Sequence, residues 1–202
     1  MMNYKHSDEA IKLFDKKLVR LFSQYGNQIN GFDELNVIGQ SKVLYRKIRK
    51  QMILLLLDVV RASYKTGKGS KESSIDENWI IEYMLEDYDP VLNCIPDNEL
   101  DRGREQASER AIGTKTADYL DKSKKTLHKM FKELADEGEL AGYKQALKDE
   151  GIEYVMWQTE RDTKVCAVCR ALEGKVFSID KVPPLQHINC RCKIKPYIGD
   201  LQ

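Results

Sequence analysis

Residues 157–195 read WQTERDTKVCAVCRALEGKVFSIDKVPPLQHINCRCKIK and hold four of the chain's five cysteines and one of its three histidines. They form two clusters, Cys166 and Cys169 as C-x-x-C, then His187, Cys190 and Cys192 as H-x-x-C-x-C. A C-x-x-C turn lets two thiolates converge, and a second short turn about twenty residues on supplies further sulfur or nitrogen donors, which is what a closed tetrahedral zinc site needs. Five candidates compete for four places around one ion. Positions two apart in an extended segment point to opposite faces, so the spacing favours Cys166, Cys169, His187 and Cys190, with Cys192 as the substitute. The competing readings are a disulfide pair and buried free thiols. The N-terminus, MMNYKHSDEA, lacks a basic-then-apolar signal pattern, so a reducing cytosol is expected, where zinc is favoured over a disulfide. A redox C-x-x-C would open a helix beside a βαβ pattern, and the sequence shows none.

Working outward, 202 residues allow one large domain or two small ones. Charged residues make up 32% and apolar ones 42%, which permits a buried core under a heavily charged surface. The net charge is +1, so global charge says nothing about partners. Between residues 157 and 197, eight Lys/Arg face four Asp/Glu, a mild basic excess more typical of a solvated face than of a phosphate cradle. The most apolar run, Met52 to Leu57, is far shorter than the ~20 residues of a membrane span, so no membrane partner is expected.

Upstream of the cysteines the pattern is helical. Apolar residues at 11, 14, 18, 21, 22 and 25 predict an amphipathic helix from Ser7 to Tyr25, ended by Gly26 and Asn27. Asp33 and Glu34 open a longer one, with Leu44, Ile48, Met52, Leu55, Leu56 and Val59 on one face until Thr66 and Gly67; unbroken, it would run about 50 Å. Residues 67–73 are small, polar and charged and are the linker candidate. Ser74 and Glu77 form a capping box for a third helix, which Asp89 and Pro90 stop. Another helix is expected from Asn98 to a break at Gly113 and Thr114. From Thr116, Leu120, Leu127, Met130, Phe131 and Leu134 stripe a further helix, whose outer face carries Lys122, Lys124, Lys125, Lys129 and Lys132. Gly138 and Gly142 bracket a short helical piece that Gly151 closes. After Gly151 the chain turns to short strand candidates at 153–159, 175–177 and 192–197.

The fold class expected is therefore mainly α: an elongated multi-helix body ending in a small α+β, zinc-binding-like lobe. Three regions follow: an N-terminal helical region, 1–75; a central helical region, 76–151; and a Cys/His-rich lobe, 152–202. A lobe of this size buries too little to stand by its own core, so a metal staple has a physical task. Around it, Trp157 is an apolar wall, Asp162 can bond backbone N–H groups of the approaching turn, and Gly174 suits a positive φ. Arg191 could project to an acidic partner or a phosphate, or pack over Trp157.

Trp157, Thr159, Asp162, Cys166, Cys169, the turn from Leu172 to Lys175, and the run from His187 to Cys192 together resemble the C-terminal signature of the phage head morphogenesis family, the Mu F-like minor head proteins of tailed bacteriophages. The segments YDPV at 88–91 and NELDRGR at 98–104 are similar to its upstream part, so the resemblance covers roughly residues 79–197. The sequence departs from the family at Ile188, where proline is usual, and at 113–116, where an acidic R-T-E is often found. The resemblance implies a minor capsid protein of the virion, present in few copies, located inside the capsid near the portal and, during assembly, in the host cytoplasm. Its partners would be the portal and other head proteins, with roles in head assembly and genome packaging or delivery; the central region would begin the head-morphogenesis-like domain. DNA is a further candidate partner, through the lobe and the lysine stripe. A metal-dependent enzyme or toxin on a Mu F-like platform is the third reading, but His6, His128 and His187 are few and scattered, and no P-loop or G-x-G-x-x-G occurs. The expectation is a non-enzyme.

Overall fold

The structure, a computed structural model, describes residues 2, 4–26, 34–69, 112–160, 162–187 and 189–199. The expected capping box at Ser74 and Glu77, the stop at Asp89 and Pro90, and the helix from Asn98 lie outside these residues. Within them the chain is mainly helical and ends in a small sheet. Helix α1 spans Lys5–Gly26, α2 Glu34–Lys68 and α3 Ile112–Asp149. There follow β1 (Tyr154–Gln158), a short α4 (Ala167–Leu172), β2 (Val176–Ser178), a 3-10 turn (Ile179–Lys181) and β3 (Lys193–Pro196). The chain divides into two compact units, residues 1–10, 56–75 and 132–202 in the first and 11–55 and 76–131 in the second.

In the second unit the core is the striped faces of the helices, with Phe14, Leu18, Phe22, Leu44, Ile48, Met52, Leu127 and Phe131 all buried. The rings of Phe14 and Phe131 meet at 4.3 Å between centroids. At the margin, Asp15 pairs with His128 at 2.7 Å, and Lys124 lies over the Phe22 ring while reaching Asp121. One lysine of the expected stripe thus helps cover the core.

The first unit carries the sheet. Its strand order is β2-β1-β3, antiparallel throughout, with Val155 opposite Phe177 and Trp157 opposite Ile194. Alternation along β1 turns Val155 and Trp157 to the same face, and with Ile194 they are buried against Leu140, Tyr143 and Leu147 of α3 and against Met2 and Tyr4. The lobe therefore does not rely on its own residues alone: a helix end and the N-terminal segment complete its core. Gly151, at φ 74, turns the chain from α3 into the sheet. Its N–H bonds the carbonyl of Lys148 and that of Ile152 reaches Leu147, the paired bonds of a Schellman end.

Two sequence expectations are corrected here. Gly138 and Gly142 do not bracket a separate piece; α3 runs through both, and it begins at Ile112 rather than after Gly113 and Thr114. The two glycines are there for close approach. A Cβ on Gly138 would sit 2.6 Å from Leu56 Cδ1, and one on Gly142 would strike the backbone carbonyl of Val60. Helix α2 packs on α3 so tightly at these points that only hydrogen fits.

The same unit buries Asp136 and Glu139 of α3 and half-buries Glu137. Glu139 accepts the Ser7 N–H at 2.7 Å, which satisfies an orphan donor in the first turn of α1 and sets an anion at its positive end. Glu137 accepts the Leu185 N–H at 2.8 Å and so anchors the loop containing Pro183 and Pro184. Asp136 takes Lys132 at 3.0 Å, while its second oxygen is buried without a partner. Burial is the largest influence on all three and pushes their carboxyl pKa values up. Acids with raised folded pKa values bind protons more tightly when folded, so stability is full below the unfolded value near 4 and falls as pH rises through the folded values. Glu139→Gln keeps the acceptor for Ser7 and removes the titration. Its stability relative to the parent, measured by denaturant unfolding, is expected to improve as pH rises from about 4 to about 7. A difference independent of pH would contradict this.

Candidate metal centre

The first donor turn is built by α4. Cys166 is the residue ahead of the helix, extended at φ −68 and ψ 162, and its sulfur accepts the Cys169 N–H at 3.4 Å. One turn of helix then brings Cys169 back beside it, buried, whereas Cys166 is half-buried. The second turn is tighter. The Cys190 N–H bonds the His187 carbonyl at 3.1 Å, and Asn189 adopts φ 61, a left-handed conformation that asparagine tolerates. Cys190 and Cys192 follow, both buried, before β3 begins at Lys193.

The five candidate donors form two triads. Cys166, Cys169 and His187 have their donor atoms within 4.8 Å of one another, and so do Cys169, Cys190 and Cys192. Cys169 is common to both triads. Its sulfur lies 3.7 Å from that of Cys190 and 3.2 Å from His187 Nε2. Zn–S bonds of about 2.3 Å place two thiolates about 3.8 Å apart on a tetrahedron, so the sulfur pair fits that edge. It is much too long for a disulfide of about 2.05 Å, and the four cysteines here are free. Donor chemistry, spacing and burial fit a soft or borderline divalent ion.

The expectation that Cys190 and Cys192 face opposite ways does not hold. It assumed an extended strand, but both residues lie ahead of β3, which begins at Lys193, and both sulfurs stay within reach of Cys169. The thiols also differ in acidity. A hydrogen bond from the Cys192 thiol is the largest influence drawing Cys190 down to about 5. Burial pushes Cys169 up to about 12, and the bond to Cys190 followed by burial raises Cys192. Cysteine ligands bind a cation as thiolates, so uptake of the ion would release protons.

The supporting residues are placed as follows. Trp157 is 1% exposed, forms the wall behind the sulfurs, and meets Phe177 edge-on at 6.4 Å. Gly174 takes φ 75, and its N–H bonds the Trp157 carbonyl, closing the turn into β2. Asp162 accepts the Lys164 N–H at 2.9 Å, as expected for the turn ahead of C-x-x-C. Arg191 is engaged by Asp162. Its guanidinium grips Asp162 in a bidentate pair at 2.7 and 2.8 Å, tying the approach to the first donor turn onto the second. That pair holds the Asp162 carboxyl below its ordinary range. Sequence reasoning missed Tyr4, whose hydroxyl donates to the Cys192 carbonyl across 188 positions, and Glu137; no local pattern signals either.

Residues 101–195, just under half of the chain, match the family model described as Phage Mu protein F like protein. The match contains all five donors. No curated protein and no solved structure matches the chain.

Proposed function

We propose, from the match of residues 101–195 to the Phage Mu protein F like model, that this chain is a head-morphogenesis protein, a minor capsid protein of a tailed bacteriophage. It is associated with the portal inside the head and acts in head assembly and in genome packaging or delivery. Its role is structural rather than catalytic, and one zinc ion pins the C-terminal lobe. The observation that carries the reading is the pair of sulfur and nitrogen donor triads, joined at Cys169, inside the family-matched region. Zinc bound there would supply cross-links between two turns that share no secondary structure. The chain's own residues hold those turns: Arg191 and Asp162 clamp them, Trp157 backs them, and Tyr4 covers the carbonyl of Cys192. Such a rigid end suits docking on a large assembly. None of the described helices is long and apolar enough to cross a membrane.

The test is co-expression with the portal and head proteins of the same phage. The expected result is co-purification with portal and presence in purified particles. A chain that never associates with portal or particles, yet is retained on duplex DNA in a steeply salt-dependent manner, would replace this reading with DNA binding.

A further inference from the structure

Five candidate donors fall into two triads that share Cys169, one ion takes four, and the structure distinguishes among them. Cys169, Cys190 and Cys192 are all at least 96% buried, whereas His187 is exposed. The His187 ring nitrogen is 3.2 Å from the Cys169 sulfur. That is shorter than the roughly 3.5 Å between a sulfur and a nitrogen bound to the same tetrahedral zinc, and it suits a hydrogen bond from ring N–H to sulfur. The second observation is on the opposite side. The Trp157 indole N–H is buried with no acceptor at full hydrogen-bond geometry. Cys192 is buried in the same core cluster as Trp157. A buried donor left without an acceptor is costly, and a neutral thiol is a poor acceptor. A metal-bound thiolate is a good one.

We propose that the ion is held by four thiolates, those of Cys166, Cys169, Cys190 and Cys192, with His187 outside the coordination shell. The His187 ring donates its N–H to the Cys169 sulfur, and the Trp157 indole donates its N–H to that of Cys192. This rests on the metal reading above and deepens it. Four thiolates around a divalent cation leave two negative charges in a mostly buried place, and N–H donors to the sulfurs offset them. The alternative, three cysteines with His187, would leave the buried Trp157 indole N–H with only a neutral thiol to receive it. It would also use an exposed ring where a buried sulfur is already in reach. Cys192 can take part because Tyr4 holds its carbonyl and the Arg191 clamp fixes the residue before it. His187 and Trp157 are positioning residues in this arrangement.

The experiment is X-ray absorption at the zinc edge of the full chain loaded with Zn²⁺, which requires no variant to fold. A shell of sulfur alone at about 2.3 Å supports the proposal. A nitrogen contribution at about 2.0–2.1 Å overturns it and leaves the zinc site standing. A chain that takes up no zinc at all overturns both. As a second measurement, His187→Gln is expected to keep the sulfur-only shell and weaken zinc affinity by about ten-fold, the loss of an outer partner. Cys192→Ser is expected to lose a sulfur from the shell and to weaken affinity much more. The reverse order would overturn the assignment.

Discussion

Cys169→Ser is expected to give a chain without bound zinc whose C-terminal sheet no longer forms a protected unit. Cys169 is the one donor shared by both triads and is 2% exposed. Structural zinc contributes an apparent free energy of about 10–16 kcal/mol in small metal-folded units, comparable to the whole stability of an ordinary domain at about 5–15 kcal/mol. Part of the lobe's core comes from Leu140, Tyr143, Leu147, Met2 and Tyr4, so helices α1 to α3 should persist in the variant. Amide exchange checks this directly. Protection in β1 and β3 should collapse toward that of an open segment while the helices keep theirs. Equal protection in variant and parent would show that apolar packing suffices without the ion.

Gly142→Ala is expected to destabilise by about 3 kcal/mol or more, although the same change at an ordinary helix interior gains up to about 1 kcal/mol. The sign is decided by what the methyl meets. It would strike the Val60 carbonyl and lie 3.2 Å from both Ser63 Cβ and Tyr64 N. Two of those atoms are backbone and cannot rotate away, so α2 and α3 would have to separate. Around that point Ser63 donates to the Glu139 carbonyl at 2.6 Å and Tyr64 donates to Asp149 at 2.6 Å, and both bonds would stretch. At roughly 2–4 °C per kcal/mol for a chain of this size, the melting temperature should fall by about 10 °C. Gly69→Ala is the control: at φ 68 it is strained but meets nothing within 4 Å, and about 1 kcal/mol is expected. A stabilised Gly142→Ala would show that the helices are not in close contact there.

The same glycines show where the sequence is readable and where it is not. Apolar spacing located α1 and α2 to within two residues, because a helix face is a local periodicity. Gly151 was readable as a stop because a terminal glycine is followed by a change in pattern. Gly138 and Gly142 carry the same letter for a different reason, the nearness of a helix some eighty residues away in the chain, and nothing adjacent to them records it. The donor cluster was visible for a related reason. C-x-x-C and H-x-x-C-x-C are each one turn, so spacing alone predicts that their side chains converge. Which face Cys192 takes depends on the strand starting only at Lys193, and the roles of Tyr4, Glu137 and Glu139 depend on contacts between distant segments. The Arg191 and Asp162 clamp joins positions 29 apart; the charges were evident, their pairing was not.

The central claim is that sulfur donors around one metal ion hold the C-terminal lobe together. Metal analysis of the purified full-length chain, before and after dialysis against a strong chelator and paired with thermal unfolding, tests it most directly. The account predicts one zinc per chain, removed by the chelator together with a clear drop in the unfolding temperature. A chain free of zinc as purified and after reconstitution, melting identically with and without chelator, would contradict it.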